Sequence, residues 1–377
     1  MTGFPWCLLG YTQYRHLPLI QVADISGVYG LSFLIVIING FVYSLFSKQQ
    51  PERRHLKWEI PVIGLIVGSV LVYGYYRLSW EDGKRRASSR DIKVLVVQGN
   101  IDQSVKWNPA YQQDTIATYL RLTRAGYGLK PDLIVWPETS VPFFLQDNGP
   151  LAKKVLDVAA ESGATFIFGS PAYTQNDALT RYYNRACLVS SDGQTIQYYD
   201  KTHLVPFGEY IPLKKILFFI DRLVPAAGDF EAGKRICPLT DKNHSFGIFI
   251  CFEAIFPEIA RALTKKGANI LINITNDAWF GKTSAPYQHL SMAVFRAVEN
   301  KRPMIRAANT GFSAIILPQG SIIARSKLFT EEIIKKSFKI SDETVTFYTR
   351  FGDLFAAFLS AISLLKIIFS FRHMIAS

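Results

Sequence analysis

Cysteine is scarce in this chain of 377 residues: there are four, at positions 7, 187, 237 and 251. No two form a CxxC pair, which argues against a structural zinc site; spacing alone leaves a Cys187–Cys237 disulfide open. There is no Walker-type loop, no GxGxxG after a strand and no HExxH, so no metal or other cofactor is expected. A tract of basic residues interleaved with aromatics is also missing, so nucleic acid is not an expected partner. Acidic residues are the minority charge, 30 against 42 Lys and Arg, for a net +12. That surplus suits anionic headgroups and equally suits a solvated surface. Repeats and low-complexity segments are absent, and Met1-Thr-Gly-Phe-Pro-Trp6 is neither a signal peptide nor a span.

Apolar surface is what the chain has in excess. Hydrophobic residues make up 49% of it, with 27 Phe and 18 Tyr, too many for an ordinary soluble enzyme of this size. The excess lies at the two ends. Residues 28–46 have the length of a bilayer span, with Ser32, Asn39 and Ser44 as the clear polar interruptions; about 20 apolar residues suffice. Residues 60–76 read as a second span and 354–371 as a third, in which Lys366 must snorkel or face protein. Burial as core helices is the alternative. Lys48, Arg53, Arg54 and Lys57 crowd the loop between the first two runs and place it in the cytoplasm by the positive-inside rule. The long middle segment is then outside, on the periplasmic face of the inner membrane in a bacterium. The expected organisation is a membrane region at 1–80 with helices at about 28–46 and 60–77, a catalytic domain at 91–342, and a C-terminal span at 353–371.

Between the spans, short β-branched runs alternate with helical stretches. This predicts a layered α/β domain, two sheets packed together with helices outside. Three of the strands end on a reactive group. Ser245-Phe-Gly-Ile-Phe-Ile250 delivers Cys251 to a sharp elbow before Pro257, Leu133-Ile-Val-Trp-Pro leads to Glu138, and Thr195-Ile-Gln-Tyr-Tyr-Asp leads to Lys201. A thiol attacks as thiolate and needs a base and a cation beside it. Glu138 can take the proton, and Lys201 can stabilise both the thiolate and the oxyanion of an attacked carbonyl. Separately, a core cysteine, a surface lysine and a turn carboxylate would each be ordinary. Together they suggest one convergent acyl-transfer site. A Cys/His site using His203 or His244 is the rival.

The residues around these three carry a resemblance. Val135-Trp-Pro-Glu138-Thr-Ser, Tyr199-Asp-Lys201-Thr-His-Leu-Val-Pro-Phe-Gly-Glu209-Tyr-Ile-Pro and Ile250-Cys251-Phe-Glu253 resemble the signature blocks of the nitrilase (carbon–nitrogen hydrolase) superfamily. Further segments resemble the apolipoprotein N-acyltransferase family within it: Gly3-Phe-Pro-Trp6, Gln98-Gly-Asn-Ile101, Lys106-Trp107, Asn276-Asp-Ala-Trp-Phe-Gly281 and Asn309-Thr-Gly311. The resemblance implies an α/β fold, a nitrilase-like αββα sandwich inserted between transmembrane helices. It implies Cys251 as nucleophile, Glu138 as base and Lys201 as oxyanion stabiliser, supported by Glu209 and Glu253, with Trp107 near a lipid entrance. Position 252 departs from the family pattern, with Phe where Tyr is frequent. Members carry several spans ahead of the Gly-Phe-Pro-Trp segment, which here stands at residues 3–6, so the chain is expected to lack the first spans.

Apolar loops follow the reactive residues. Val141-Pro-Phe143-Phe144-Leu145 follows Glu138, residues 213–224 after Glu209 could form an amphipathic arm on a membrane, and Trp279-Phe280 comes later. With Trp107 and Phe252 these are the expected substrate contacts. The expected activity moves a fatty acyl chain from a membrane phospholipid, through a cysteine thioester, to the N-terminal amine of the diacylglyceryl-cysteine of an apolipoprotein. A membrane-anchored amidase or nitrilase, and an inactive lipid-binding scaffold, are the alternatives.

Overall fold

The computed structural model describes residues 3–46, 56–88, 90–104, 106, 108–176, 179–211, 230–340 and 345–376. The basic loop at 48–55, Trp107 and the apolar stretch 213–224 lie outside the described residues. Helices α1 (Leu17–Ile20), α2 (Ala23–Phe46) and α3 (Leu56–Ala87) come first. Then follow β1 (Asp91–Gln98), α4 (Gln112–Arg124), β2 (Leu133–Val135), α5 (Pro150–Ser162), β3 (Thr165–Asn176), β4 (Leu179–Val189), β5 (Ile196–Asp200), β6 (Leu239–Asp241) and β7 (His244–Ile250). The remainder is α6 (Pro257–Lys265), β8 (Ile270–Thr275), α7 (Ala285–Asn300), β9 (Met304–Ala308), β10 (Ala314–Ile316), β11 (Ile322–Arg325), β12 (Glu332–Lys339), α8 (Phe347–Phe351) and α9 (Leu354–Ala376).

The strands form two six-stranded sheets, ordered β12-β1-β2-β3-β4-β5 and β11-β10-β9-β8-β7-β6. The central strands β1, β2 and β3 run parallel, as do β7, β8 and β9. Buried on both faces, β8 reads Ile-Leu-Ile-Asn-Ile-Thr without alternation, the pattern of a covered parallel strand. Val94, Val135, Ile248, Ile250, Ile272 and Ile305 meet between the sheets. On the outer face of the first sheet, α4 and α5 close over Trp136, whose indole N–H donates to Thr123 Oγ1 at 2.9 Å. On the outer face of the second, α6 and α7 share a core with α2. The layers are therefore αββα, as the α/β alternation predicts.

β3 and β4 pair over eleven residues from Phe166↔Val189 to Asn176↔Leu179. Thr174, Gln175 and Thr180 in the outer halves are exposed, so the apolar alternation that marks a strand fades there. β12 contains Lys335, Lys336 and Lys339; charge is how an edge strand resists further pairing, and it masks the strand signal. The disulfide left open is not formed: all four cysteines are free, with Cys187 buried on β4 and Cys237 exposed.

Helices α2 and α3 are long and apolar enough to cross a membrane, and α9 contributes a shorter apolar stretch, Leu354–Ser370. Large apolar side chains on α3, including Leu65 and Val72 (each 71% exposed), face outward, as lipid contact would require. Asp24 ties the region to the domain: it pairs with Arg77 at 2.9 Å and Lys301 at 3.6 Å, and accepts from Tyr73 at 2.8 Å. Helix α2 breaks at Gly27, where φ is 64°, and Tyr348 fills the space a side chain would need, since a Cβ there would lie 2.5 Å from Tyr348 Cε2. Gly27→Ala is expected to destabilise the protein by about 2 kcal/mol, combining left-handed strain with overpacking, and to lower its thermal unfolding midpoint in detergent.

Candidate active site

Glu138, Lys201 and Cys251 come from both sheets and meet at one end of the sandwich. Glu138 lies just beyond β2 in a turn held by β3: Gly169 N–H donates to Pro137 O at 3.1 Å and Val141 N–H to Gly169 O at 3.0 Å. Thr139 has φ 49°. β3 passes so close that a Cβ on Gly169 would lie 2.7 Å from Glu138 Cα, which is why glycine stands there. Lys201 follows β5, its N–H bonded to Asn184 O at 2.9 Å. Cys251 follows β7, opens a 3-10 turn ahead of α6, and holds the left-handed conformation, φ 50°.

The lysine joins the two expected glutamates. Lys201 Nζ is 2.8 Å from Glu209 and 3.7 Å from Glu138 Oε1, with 1% of its side chain exposed. Asn184 on β4 bridges them from the other side, its amide donating to Glu138 Oε1 at 2.8 Å and Glu209 Oε1 at 2.9 Å. Glu209 also accepts from Val205 N–H at 2.8 Å. Glu253 plays a different part. Its carboxylate accepts from Tyr199 OH (2.8 Å), Thr202 N–H (2.7 Å), Thr202 Oγ1 (2.8 Å) and His203 N–H (3.0 Å), and from Ile250 N–H (2.7 Å). One buried carboxylate thus binds the Lys201 loop to the Cys251 elbow.

Burial shapes the electrostatics. Burial alone would push Lys201 down, but Glu209, Glu138 and the Cys251 sulfur outweigh it and hold the ammonium above the usual lysine range. Burial and the Glu138 charge push the Cys251 thiol up to about 12, against the pull of Lys201. A thiol so placed rests protonated, so reaction requires a base in the same step. Lys106, unassigned in the sequence reading, is 2% exposed and donates to the Glu138 backbone carbonyl at 3.0 Å. Burial lowers it to about 8, with Glu138 and Cys251 opposing.

The expected substrate contacts divide. Phe252 and Phe280 join one aromatic cover with the N-terminal segment: Phe4 stacks on Trp6 and on Phe252, each at 5.7 Å, and Trp6 meets Phe280 at 5.4 Å. Trp279 beside them is 67% exposed. Phe143 packs against the helix-side core of the first sheet, and Phe144 contacts Tyr173 and Tyr182 at 5.0 and 5.9 Å. The histidine rival finds no support. His244 starts β7, at the opposite end from Cys251, and the His203 ring stacks on Phe256 at 3.8 Å. Asn184 and Lys106 had no independent sequence signal: each is a common polar residue whose role depends on strand register or loop path.

Residues 93–345 match the carbon–nitrogen hydrolase family model, and residues 1–41 the apolipoprotein N-acyltransferase N-terminal domain. Among solved structures, a CN-hydrolase superfamily protein from Xanthomonas campestris is similar at TM-score 0.50 and 19% identity, over 66% of this chain and 91% of that one. An amidase from Nesterenkonia sp. AN1 is similar at TM-score 0.50 and 16% identity, over 71% of this chain and 99% of that one. The middle domain is therefore of the carbon–nitrogen hydrolase class. An apolipoprotein N-acyltransferase of Geobacter metallireducens is 45% identical over 94% of this chain and 68% of its own length. One of Bradyrhizobium diazoefficiens is 34% identical over 97% and 69%, and one of Rickettsia prowazekii 35% over 97% and 72%. The chain belongs to the apolipoprotein N-acyltransferase family.

The raised thiol gives a direct test. Alkylation of Cys251 by iodoacetamide, read by peptide mass spectrometry, is expected to climb about tenfold per pH unit through pH 10. A plateau near the ordinary thiol value of about 8.5 would contradict it.

Proposed function

We propose that Cys251 accepts a fatty acyl chain from a membrane phospholipid and passes it to the N-terminal amine of an apolipoprotein's diacylglyceryl-cysteine. Membership of the family supports lipoprotein N-acylation in general. The observation that carries the finer reading is the buried Lys201 in ion-pair reach of Glu138 and Glu209, beside the Cys251 thiol and below the aromatic cover of Phe4, Trp6, Phe252 and Phe280.

In the first half-reaction Glu138 takes the thiol proton as sulfur attacks the ester carbonyl carbon. Lys201 neutralises the oxyanion. The ester C–O bond breaks, Glu138 returns the proton to the departing oxygen, and a lysophospholipid leaves. In the second half, the neutral α-amine attacks the thioester carbonyl. Glu138 takes a proton from nitrogen, the C–S bond breaks, and sulfur regains that proton. The aromatic cover favours this amine over water by excluding solvent. Phe252, Phe280 and Trp279, together with Trp107, Phe143 and Phe144, are proposed to contact acyl chains. The catalytic domain is proposed to face the periplasm from the inner membrane, held by α2, α3 and α9.

Incubation with phospholipid is expected to add the mass of one fatty acyl chain to the intact protein, released by hydroxylamine and absent in Cys251→Ala. No adduct on a folded sample would overturn the lipid-donor reading, and ammonia release from small amides in its place would establish a hydrolase. Lys201→Arg should slow acyl-enzyme formation by about a hundredfold or more despite keeping its charge, because a planar fork cannot replace a compact ammonium between Glu138 and Glu209; single-turnover rates measure it.

A further inference from the structure

Cys251 holds its left-handed conformation without the freedom of glycine. Such a conformation is strained for a residue with a side chain, so the surroundings must hold it. The held atom is its carbonyl oxygen, which accepts from His289 Nε2 at 3.2 Å and Asn273 Nδ2 at 3.4 Å. Both donors are themselves fixed and fully buried. His289 Nδ1 lies 3.0 Å from Asp277 Oδ1 and 3.0 Å from Arg306 Nη2. Arg306 spans the group, donating to Asp277 Oδ2 at 2.7 Å, to Phe312 O at 3.1 Å and to Asn273 Oδ1. Thr275 Oγ1 closes it on Asp277 Oδ1 at 3.0 Å.

The direction of the bond defines the role of the ring. A carbonyl can only accept, so His289 Nε2 carries its hydrogen in either protonation state. It is directed at the backbone and is not a base for the thiol. Burial and the Arg306 charge hold the imidazole below the usual histidine range, so the ring is a neutral donor whose bare Nδ1 accepts from Arg306 Nη2, and Asp277 acts by holding Arg306 through Oδ2. A peptide unit is planar, so anchoring the Cys251 carbonyl also fixes the Phe252 N–H on the far side of the same plane. The same ring backs the aromatic cover: Trp6 lies 5.6 Å and Phe280 6.0 Å from it, and Trp6 Nε1 donates to neighbouring Gln288 at 2.7 Å.

We propose that His289, locked by Arg306, which Asp277 in turn holds, is the positioning residue of the nucleophile: it pins the Cys251 carbonyl and so sets the thiol beside Glu138 and Lys201. The Asn276-Asp-Ala-Trp-Phe-Gly281 segment then has two ends with two tasks. Asp277 holds the arginine that locks the ring, while Trp279 and Phe280 face the substrate. The proposal rests on the acyl-transfer reading for its rate measurement alone.

The test uses the whole protein in detergent with phosphatidylethanolamine as acyl donor. His289→Leu removes the donor, and His289→Gln restores one at about the reach of Nε2. The leucine variant is expected to form acyl-enzyme about 30-fold more slowly at saturating lipid, with half-saturation within about twofold. Its Cys251 alkylation profile, governed by Glu138, Lys201, Lys106 and Asp277 around the sulfur, should shift by about one pH unit from wild type as the sulfur leaves the balance of those charges. The glutamine variant should recover to within about fivefold of wild type, with its profile unshifted. Wild-type rate and profile in His289→Leu, or a glutamine variant as slow as leucine, would overturn the proposal. Should His289→Leu not fold, Asp277→Asn decides: it keeps the volume but removes the charge that holds Arg306 on the ring, and wild-type rates in it would equally overturn the proposal. If wild type forms no acyl-enzyme, the donor assignment fails, and the alkylation comparison, which needs no lipid, still decides the role of His289.

Discussion

The site depends on the buried carboxylate of Glu253. It takes four hydrogen bonds on one oxygen, one from Tyr199 of β5 and three from the loop after it, and one on the other from Ile250 at the end of β7. β5 belongs to one sheet and β7 to the other, so this side chain joins the lysine-bearing and thiol-bearing elements across the sandwich. Apolar packing brings the sheets together but does not specify their relative position closely, because dispersion is non-directional. Directional bonds to a charged acceptor supply that precision. Each donor left unmatched in this interior would cost about 1–3 kcal/mol, so a slip of one sheet end past the other is penalised several times over.

Within that frame, charge is placed where it resists ionising the nucleophile at rest. Two carboxylates, Glu138 and Glu209, surround Lys201, and the thiol beside them is held protonated by burial and Glu138. A resting thiolate would be open to oxidation and alkylation. Under the proposed acyl transfer, a thiol activated only when Glu138 takes its proton is reactive chiefly when an acyl carbonyl is in place. Asn184 holds both carboxylates in register from β4, so Glu138 is fixed in place beside Lys201.

The N-terminal segment links this chemistry to the apolar helices. Phe4 and Trp6 contact Phe252 and the His289 ring beside Cys251, while twenty residues after Phe4, Asp24 pairs with Arg77 of α3 and Lys301 after α7. The helices therefore bear directly on the wall of the active site. This arrangement suits an acyl donor that arrives from a lipid phase.

Legible from the chain alone was the candidate site: one cysteine, one lysine and one glutamate, each at the end of an apolar strand. The sequence also determined the layer order, because continuous apolar runs such as β7 and β8 must be covered on both faces. These properties are local, and period and composition carry them. The partners of the catalytic groups were decided by tertiary structure alone. Asn184 became legible only once β3 and β4 paired over their full polar length, Lys106 once its loop folded back onto the Glu138 carbonyl, and His289 once α7 lay behind the elbow. A hydrogen bond between residues 38 positions apart, such as His289 to Cys251, leaves no periodic trace in a chain. It exists because packing of the outer helix on the second sheet brings two distant segments within 3.2 Å of each other.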